Sequence, residues 1–184
     1  MSGVAAQYRR AAAGFTARVD AMPAEGWERP APCEGWVARD VVRHLVSWVS
    51  GFFEGAGGPK LASDVPVATD PAAAWHAFDE LLQAALDDPA VAGAVIDHPH
   101  VGPQRFDEAV ASFVIGDVVV HTWDLARAGG LDERLDPALV HEMLTAMQPA
   151  EPIMRSSGQY GPRVEVPDDA DEQTMLLAFT GRMP

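Results

Sequence analysis

The stretch GDVVVHTWDL, residues 116–125, decides how this chain is read. It belongs to a longer run in which Val110, Phe113, Val114, Leu125 and Ala128 recur at steps of three and four, the spacing of one helix face. That spacing predicts a helix from about Asp107 to Ala128, ended by Gly129-Gly130. Asp117 and His121 fall on the same face one turn apart, where valines would pack better. DVVRHLVSW, residues 40–48, repeats the anomaly. There His44 lies between Val41 and Trp48, on a helix expected from about Val37 to Phe53 that sets Val37, Val41, Leu45, Trp48 and Phe52 on one broad face. An unpaired polar group buried in such a stripe costs roughly 2–7 kcal/mol by transfer models. One divalent ion held by two imidazoles and a carboxylate would satisfy His44, Asp117 and His121 together and leave positions for water or a substrate atom. The plainer alternative is a core histidine bonded to a carbonyl, with an aspartate pairing to the histidine four residues on. The spacing D-x-x-x-H is a weak signal by itself.

Outward from these two helices the chain reads as helix and loop. Val4, Tyr8, Ala12, Phe15 and Val19 make a first helix over residues 4–21, and PAEGWERPAPCEG (23–35) is loop. Residues 55–70 form a connection, and Pro71 suits the first turn of a helix reaching Leu86 with Trp75, Phe78, Leu82 and Leu86 inward. Pro99 and Pro103 forbid a regular helix in residues 87–106, which have room for a short extended piece. Asp136-Pro137 begins a helix to about Gln148, residues 149–169 are mostly loop, and 171–179 make a short final helix. The expected fold is all-α: an antiparallel four-helix bundle with short C-terminal helices and irregular connections, forming one domain over residues 1–184.

Composition narrows the partners. Thirteen basic against twenty-seven acidic residues give a formal charge of -14, which argues against nucleic acid and an anionic membrane surface. A single cysteine, Cys33, excludes an internal disulfide and a Cys-rich zinc cluster. The N-terminal residues carry arginines and no apolar run of membrane length, so neither a signal nor an anchor is expected and the cytoplasm is the default location. The protein is expected to be a monomer or homodimer.

Around the two histidine-bearing helices, several residues are candidates for supporting roles. Asp124, three residues after His121, could orient an imidazole, approach the metal, or pair with Arg127 or Arg43. Arg127 could instead meet an anionic substrate; Asp124 and Arg127 are the catalytic candidates. MRSSGQYGPR (154–163) offers Arg155, Tyr160 and Arg163 to an acidic thiol cofactor. Cys33 precedes the second helix, whose start or metal could lower a thiol pKa, yet no histidine is near it in sequence and free cysteines are often small buried hydrophobes. His98 and His100 flank Pro99 and read as a pocket mouth or as surface loop, while His76 and His141 read as exposed.

PCEGWVARDVVRHLV (32–46) and DVVVHTWDLARAGG (117–130) resemble the two signature segments of the actinobacterial mycothiol-dependent maleylpyruvate isomerase N-terminal domain family, within the DinB-like four-helix-bundle superfamily. The similarity is to its short metal-binding branch, whose end YGPRVEVPDDADEQTMLLAFTGRMP (160–184) also resembles. The resemblance implies that His44, Asp117 and His121 hold a divalent metal, zinc first and nickel second, and that mycothiol is a cosubstrate. Two departures stand out. The isomerase has glutamate where this chain has Asp117, and the family tends to threonine at Val37, which cannot cap; Asp40 can still accept first-turn amides. The isomerase's separate C-terminal domain is not expected here, which argues against maleylpyruvate isomerisation itself.

Three functions follow from these readings. The first is a metal-dependent transferase or isomerase in which a small-molecule thiol, as thiolate, meets an electrophilic substrate. The second is a metal-dependent hydrolase with Asp124 as the one general base the count supplies. The third is a non-catalytic binding module with a closed, structural metal shell.

Overall fold

The long helices form where apolar residues repeat at helical spacing. α1 spans Gly3–Ala21, α2 Ala38–Gly55 and α3 Pro71–Asp87. Tyr8, Ala12, Phe15 and Val19 of α1 are buried, as are Trp75, Phe78, Leu82 and Leu86 of α3. A large apolar side chain buried in this way contributes roughly 1.5–3 kcal/mol. Asp70 caps α3 by accepting the Ala73 N–H at 2.9 Å, with Pro71 in the first turn. At α2 the carboxylate of Asp40 accepts the Val37 N–H at 3.0 Å, the role open to it once Val37 cannot cap. The computed structural model describes residues 3–156 and 162–184.

Residues 87–106 are more ordered than their prolines suggest. A one-turn helix α4 (Pro89–Ala92) leads into β1 (Val95–His98), which pairs antiparallel with β2 (Gly102–Arg105). Pro99 sits in the turn, where it costs no ladder bond, and Pro103 lies on β2, an edge strand of a two-stranded sheet. The Asp97 N–H donates to the Ala56 carbonyl at 3.1 Å, tying the hairpin to the end of α2.

The helix expected from Asp107 is continuous over Phe106–Gly129, but it is not uniform. α5 (Phe106–Ala109) passes through a π-helical turn (Val110–Val114) into α6 (Ile115–Gly129). A π turn holds an extra residue, so the faces before and after it are out of phase. Phe113, expected inward, is therefore 36% exposed, while Val110 and Val114 stay buried. Gly130, at φ +66°, ends α6 in the left-handed region, and the Leu131 N–H reaches back to the Ala126 carbonyl at 2.8 Å. By length and composition this helix could cross a membrane, yet 72% of its most apolar window is buried inside the protein, as in the core helix of a bundle.

Within residues 1–133, a compact unit, α1 packs on α3 and α6, and α2 packs on the same two. Tyr8 bonds Asp79 and Thr16 bonds Trp75, so α1 and α3 run antiparallel. Phe52 faces Phe113 and Trp36 faces His121, so α2 and α6 do too. Arg18 reaches Asp132, while a Cβ on Gly14 would touch Thr122, so α1 and α6 run the same way. The order is up, down, down, up. Residues 56–70 are long enough to return the chain along the bundle before α3 begins, which lets α2 and α3 run the same way.

Residues 134–184 form a second compact unit. In it α7 (Pro137–Met147), capped by Asp136, packs on α9 (Glu172–Phe179), capped by Asp171. Part of the stretch expected to be loop is instead α8 (Glu151–Ser156), following a single turn of 3-10 helix at Gln148–Ala150. The architecture is predominantly α-helical, a helical bundle with extra helices and one small sheet.

Candidate metal centre

The antiparallel packing of α2 on α6 sets His44 opposite Asp117, and the α6 repeat places His121 one turn beyond. His44 Nε2 lies 3.1 Å from Asp117 Oδ2. His121 Nε2 lies 3.4 Å from Asp117 Oδ1. The three side chains each offer a ligand atom, and those atoms lie within 4.8 Å of one another. Trp48, one turn after His44, donates its indole N–H to Asp117 Oδ2 at 2.7 Å. The carboxylate is thereby held from three sides.

The environment is not the apolar interior that the periodicity suggested for all three. The His121 side chain is 5% exposed, but those of Asp117 and His44 are 28% and 31% exposed. α2 buries the expected Val41 and Leu45 together with Val42, Val49 and Phe53, so its core stripe overlaps the predicted one but is turned away from Trp48 and Phe52. His44, Trp48 and Phe52 run along that stripe's half-exposed edge. The centre is thus anchored at His121 and open at His44.

Behind His121 lies Asp124, whose side chain is fully buried. Its Oδ2 is 2.8 Å from His121 Nδ1, an ion-pair distance, though out of line for a regular hydrogen bond. Burial works against a charge on His121, but the carboxylates of Asp117 and Asp124 and the nearby Cys33 outweigh it and raise its pKa well above the ordinary value. Burial would likewise raise the Asp117 pKa, but contacts from His121 and His44 hold it well below the usual carboxylate range, so it stays ionised.

Two further residues contribute: Cys33, weighed above for its place before α2, and Trp36, which spacing did not mark. The Cys33 thiol donates to Asp124 Oδ2 at 3.5 Å, and Trp36 stacks on the His121 ring at 5.9 Å between centroids. Both come from the turn CEGW, residues 33–36. There the Trp36 N–H returns to the Cys33 carbonyl at 3.0 Å, and Gly35 adopts φ +75°. A positive φ at the third residue of a tight turn calls for glycine, so C-x-G-W ahead of a helix was the available signal. Cys33, His121 and Asp124 make a second group of close donor atoms, sharing His121 with the first.

The remaining candidates have their own partners. Arg127 lies against Glu133 at 2.8 Å and over the Trp123 ring at 4.1 Å. Arg155 and Arg163 both approach Glu151 and the Phe179 ring, within residues 134–184. Tyr160 lies outside the described residues. His98 stacks on Phe52 at 4.2 Å, and His100 is exposed. His76 and His141 pair with Asp20 and Glu172, with side chains 44% and 65% exposed.

Two imidazoles and one ionised carboxylate are a donor set suited to zinc, nickel and similar divalent ions. His121 facing Asp124 through its other nitrogen has the form of a carboxylate–histidine–metal arrangement, in which the outer carboxylate fixes ring and tautomer. Asp124→Asn is accordingly expected to weaken divalent-ion affinity by about 10–100-fold without eliminating it, measured by competition with a chromophoric chelator. An unchanged affinity would remove Asp124 from any positioning role.

Two proteins of Mycobacterium tuberculosis described as uncharacterised, from strains CDC 1551 / Oshkosh and ATCC 25618 / H37Rv, are each 29% identical to this chain, with 95% of both chains covered. No solved structure matches significantly. Residues 8–126, which contain His44, Asp117, His121, Cys33 and Asp124, match the mycothiol maleylpyruvate isomerase N-terminal domain. The chain belongs to that family, in the DinB-like superfamily.

Proposed function

We propose that this protein is a metal-dependent enzyme that uses a low-molecular-weight thiol such as mycothiol to attack an electrophile, in a transfer or isomerisation reaction. The observation carrying the reading is the asymmetry of the donor cluster. His121 is buried and braced, whereas His44 and Asp117 keep about a third of their side-chain surface open. A structural metal would favour a closed shell of protein donors; an open side suits a site that admits a small molecule. Family membership and the cluster support a metal-dependent role.

In this reading His44, Asp117 and His121 hold the ion, zinc or nickel. A divalent ion supplies Lewis acidity, lowering the pKa of a thiol so that it reacts as thiolate at neutral pH. The chain's own residues do the rest. Asp117 contributes the negative charge that offsets the cation, and the Trp48 indole keeps that carboxylate in register. Asp124 orients His121, and Trp36 lies over its ring. Asp124 is shut from solvent, so it is badly placed to deprotonate a water in a hydrolase.

The test is thiol consumption by metal-reconstituted protein, with mycothiol and a model electrophile, with and without chelator. A rate that requires both metal and thiol is expected. A thiol-independent rate surviving metal removal would overturn the proposal.

A further inference from the structure

Most aromatic side chains of the bundle, among them Phe15, Phe53, Trp75, Phe78 and Phe106, are fully buried. A second set is not. Trp48, Phe52 and His98 are half-buried, and Phe113 is 36% exposed. These four are contiguous and begin at the metal centre. From the His44 ring the centroid of Trp48 is 6.1 Å away, and Phe52 follows Trp48 at 5.8 Å. Phe113 and His98 lie 5.5 Å and 4.2 Å from Phe52.

Three separate features of the chain build this row. Steps of four residues along α2 align His44, Trp48 and Phe52 on its open edge. The π-helical turn brings Phe113 out beside Phe52 instead of into the core. The hairpin β1–β2, tied to Ala56, lays His98 nearly parallel to Phe52, at 18°. The core beside the row holds a separate ring pair, Phe53 and Phe106, at 4.6 Å.

We propose that the row is the binding wall for the electrophile, and that this substrate carries a flat aromatic or conjugated group. The proposal rests on the reading above that the electrophile meets a thiol at the metal centre. The wall is continuous with that centre through Trp48, whose indole N–H is bound to Asp117. Its chemistry selects the occupant: the rings pack on one another at 4–6 Å, and the surface that Trp48, Phe52, His98 and Phe113 leave exposed favours stacking or edge contact with a flat π-system, roughly 2–10-fold beyond what the same apolar area gives. A saturated group of equal size receives only the area.

Equilibrium binding tests this without turnover. Naphthalene-2-carboxylate and its saturated counterpart, decalin-2-carboxylate, share skeleton and charge, and each is titrated into the metal-loaded protein by tryptophan fluorescence and equilibrium dialysis. The flat acid is expected to bind several-fold more tightly, and Phe113→Ala and Phe52→Ala each to weaken it roughly 3–10-fold with metal content unchanged. Equal affinity for the two acids, or naphthalene-2-carboxylate binding untouched in Phe113→Ala, would overturn the wall. Binding that behaves as expected in a protein lacking thiol-dependent turnover would uphold the wall and sink the thiol chemistry instead.

Discussion

Replacing His121 with alanine is expected to abolish stoichiometric binding of a divalent ion while leaving the helical far-UV signal largely in place. His121 faces Asp117 through one nitrogen and Asp124 through the other, so its loss removes a donor and the brace behind it. Only His44 and Asp117 remain of the donor triad, too few to hold zinc against water. The substitution also leaves the buried Asp124 carboxylate without its imidazole, a change of the kind that costs about 3–5 kcal/mol. A lower melting temperature is therefore part of the expectation. His44→Ala separates the two effects, because His44 is partly exposed and its removal strands no buried charge. That variant should lose metal with little loss of stability. Metal analysis of both proteins, purified without an affinity tag, decides the matter; full metal content in His121→Ala would refute the assignment.

The separation of these effects reflects what could be read from the residues. Helical spacing located the four bundle helices and most of their buried residues, because an apolar side chain repeated every three or four positions has only one stable use in water. It also placed Asp117 one turn from His121, and their opposition to His44 needed only that α2 and α6 face each other. The same count erred wherever the backbone departed from an even 3.6-residue period. The π turn carried Phe113 outward, and no rule of residue spacing announces where such a turn will sit. On α2 the count favoured Phe52 over Phe53, since adjacent positions lie 100° apart and either fits a broad face. The direction of α3 depended on how the 56–70 connection runs, which its glycines and prolines leave open. Trp36 was hidden for another reason, and Cys33 could be named only by its place before the second helix: both come from a turn some ninety residues away in the chain from His121 and Asp124. Contact at that separation is set by tertiary packing; the local C-x-G-W pattern marks the turn and not the partner it meets.

Asp117→Asn is the sharper experiment, because it changes charge with almost no change of shape. The amide oxygen can still accept the Trp48 N–H that now reaches Asp117 Oδ2 at 2.7 Å, so the side chain should stay where it is. What disappears is the anion facing His44 and His121. With two neutral imidazoles and a weakly donating amide, divalent affinity should fall by more than about 100-fold, beyond the 10–100-fold typical of residues that only orient a ligand. Thiol-dependent activity should fall with it. Metal titration of the purified variant separates direct ligation, with its large loss, from orientation of His121, with its smaller one. An affinity equal to that of the parent protein would place Asp117 outside the site and leave His44 and His121 as its ligands.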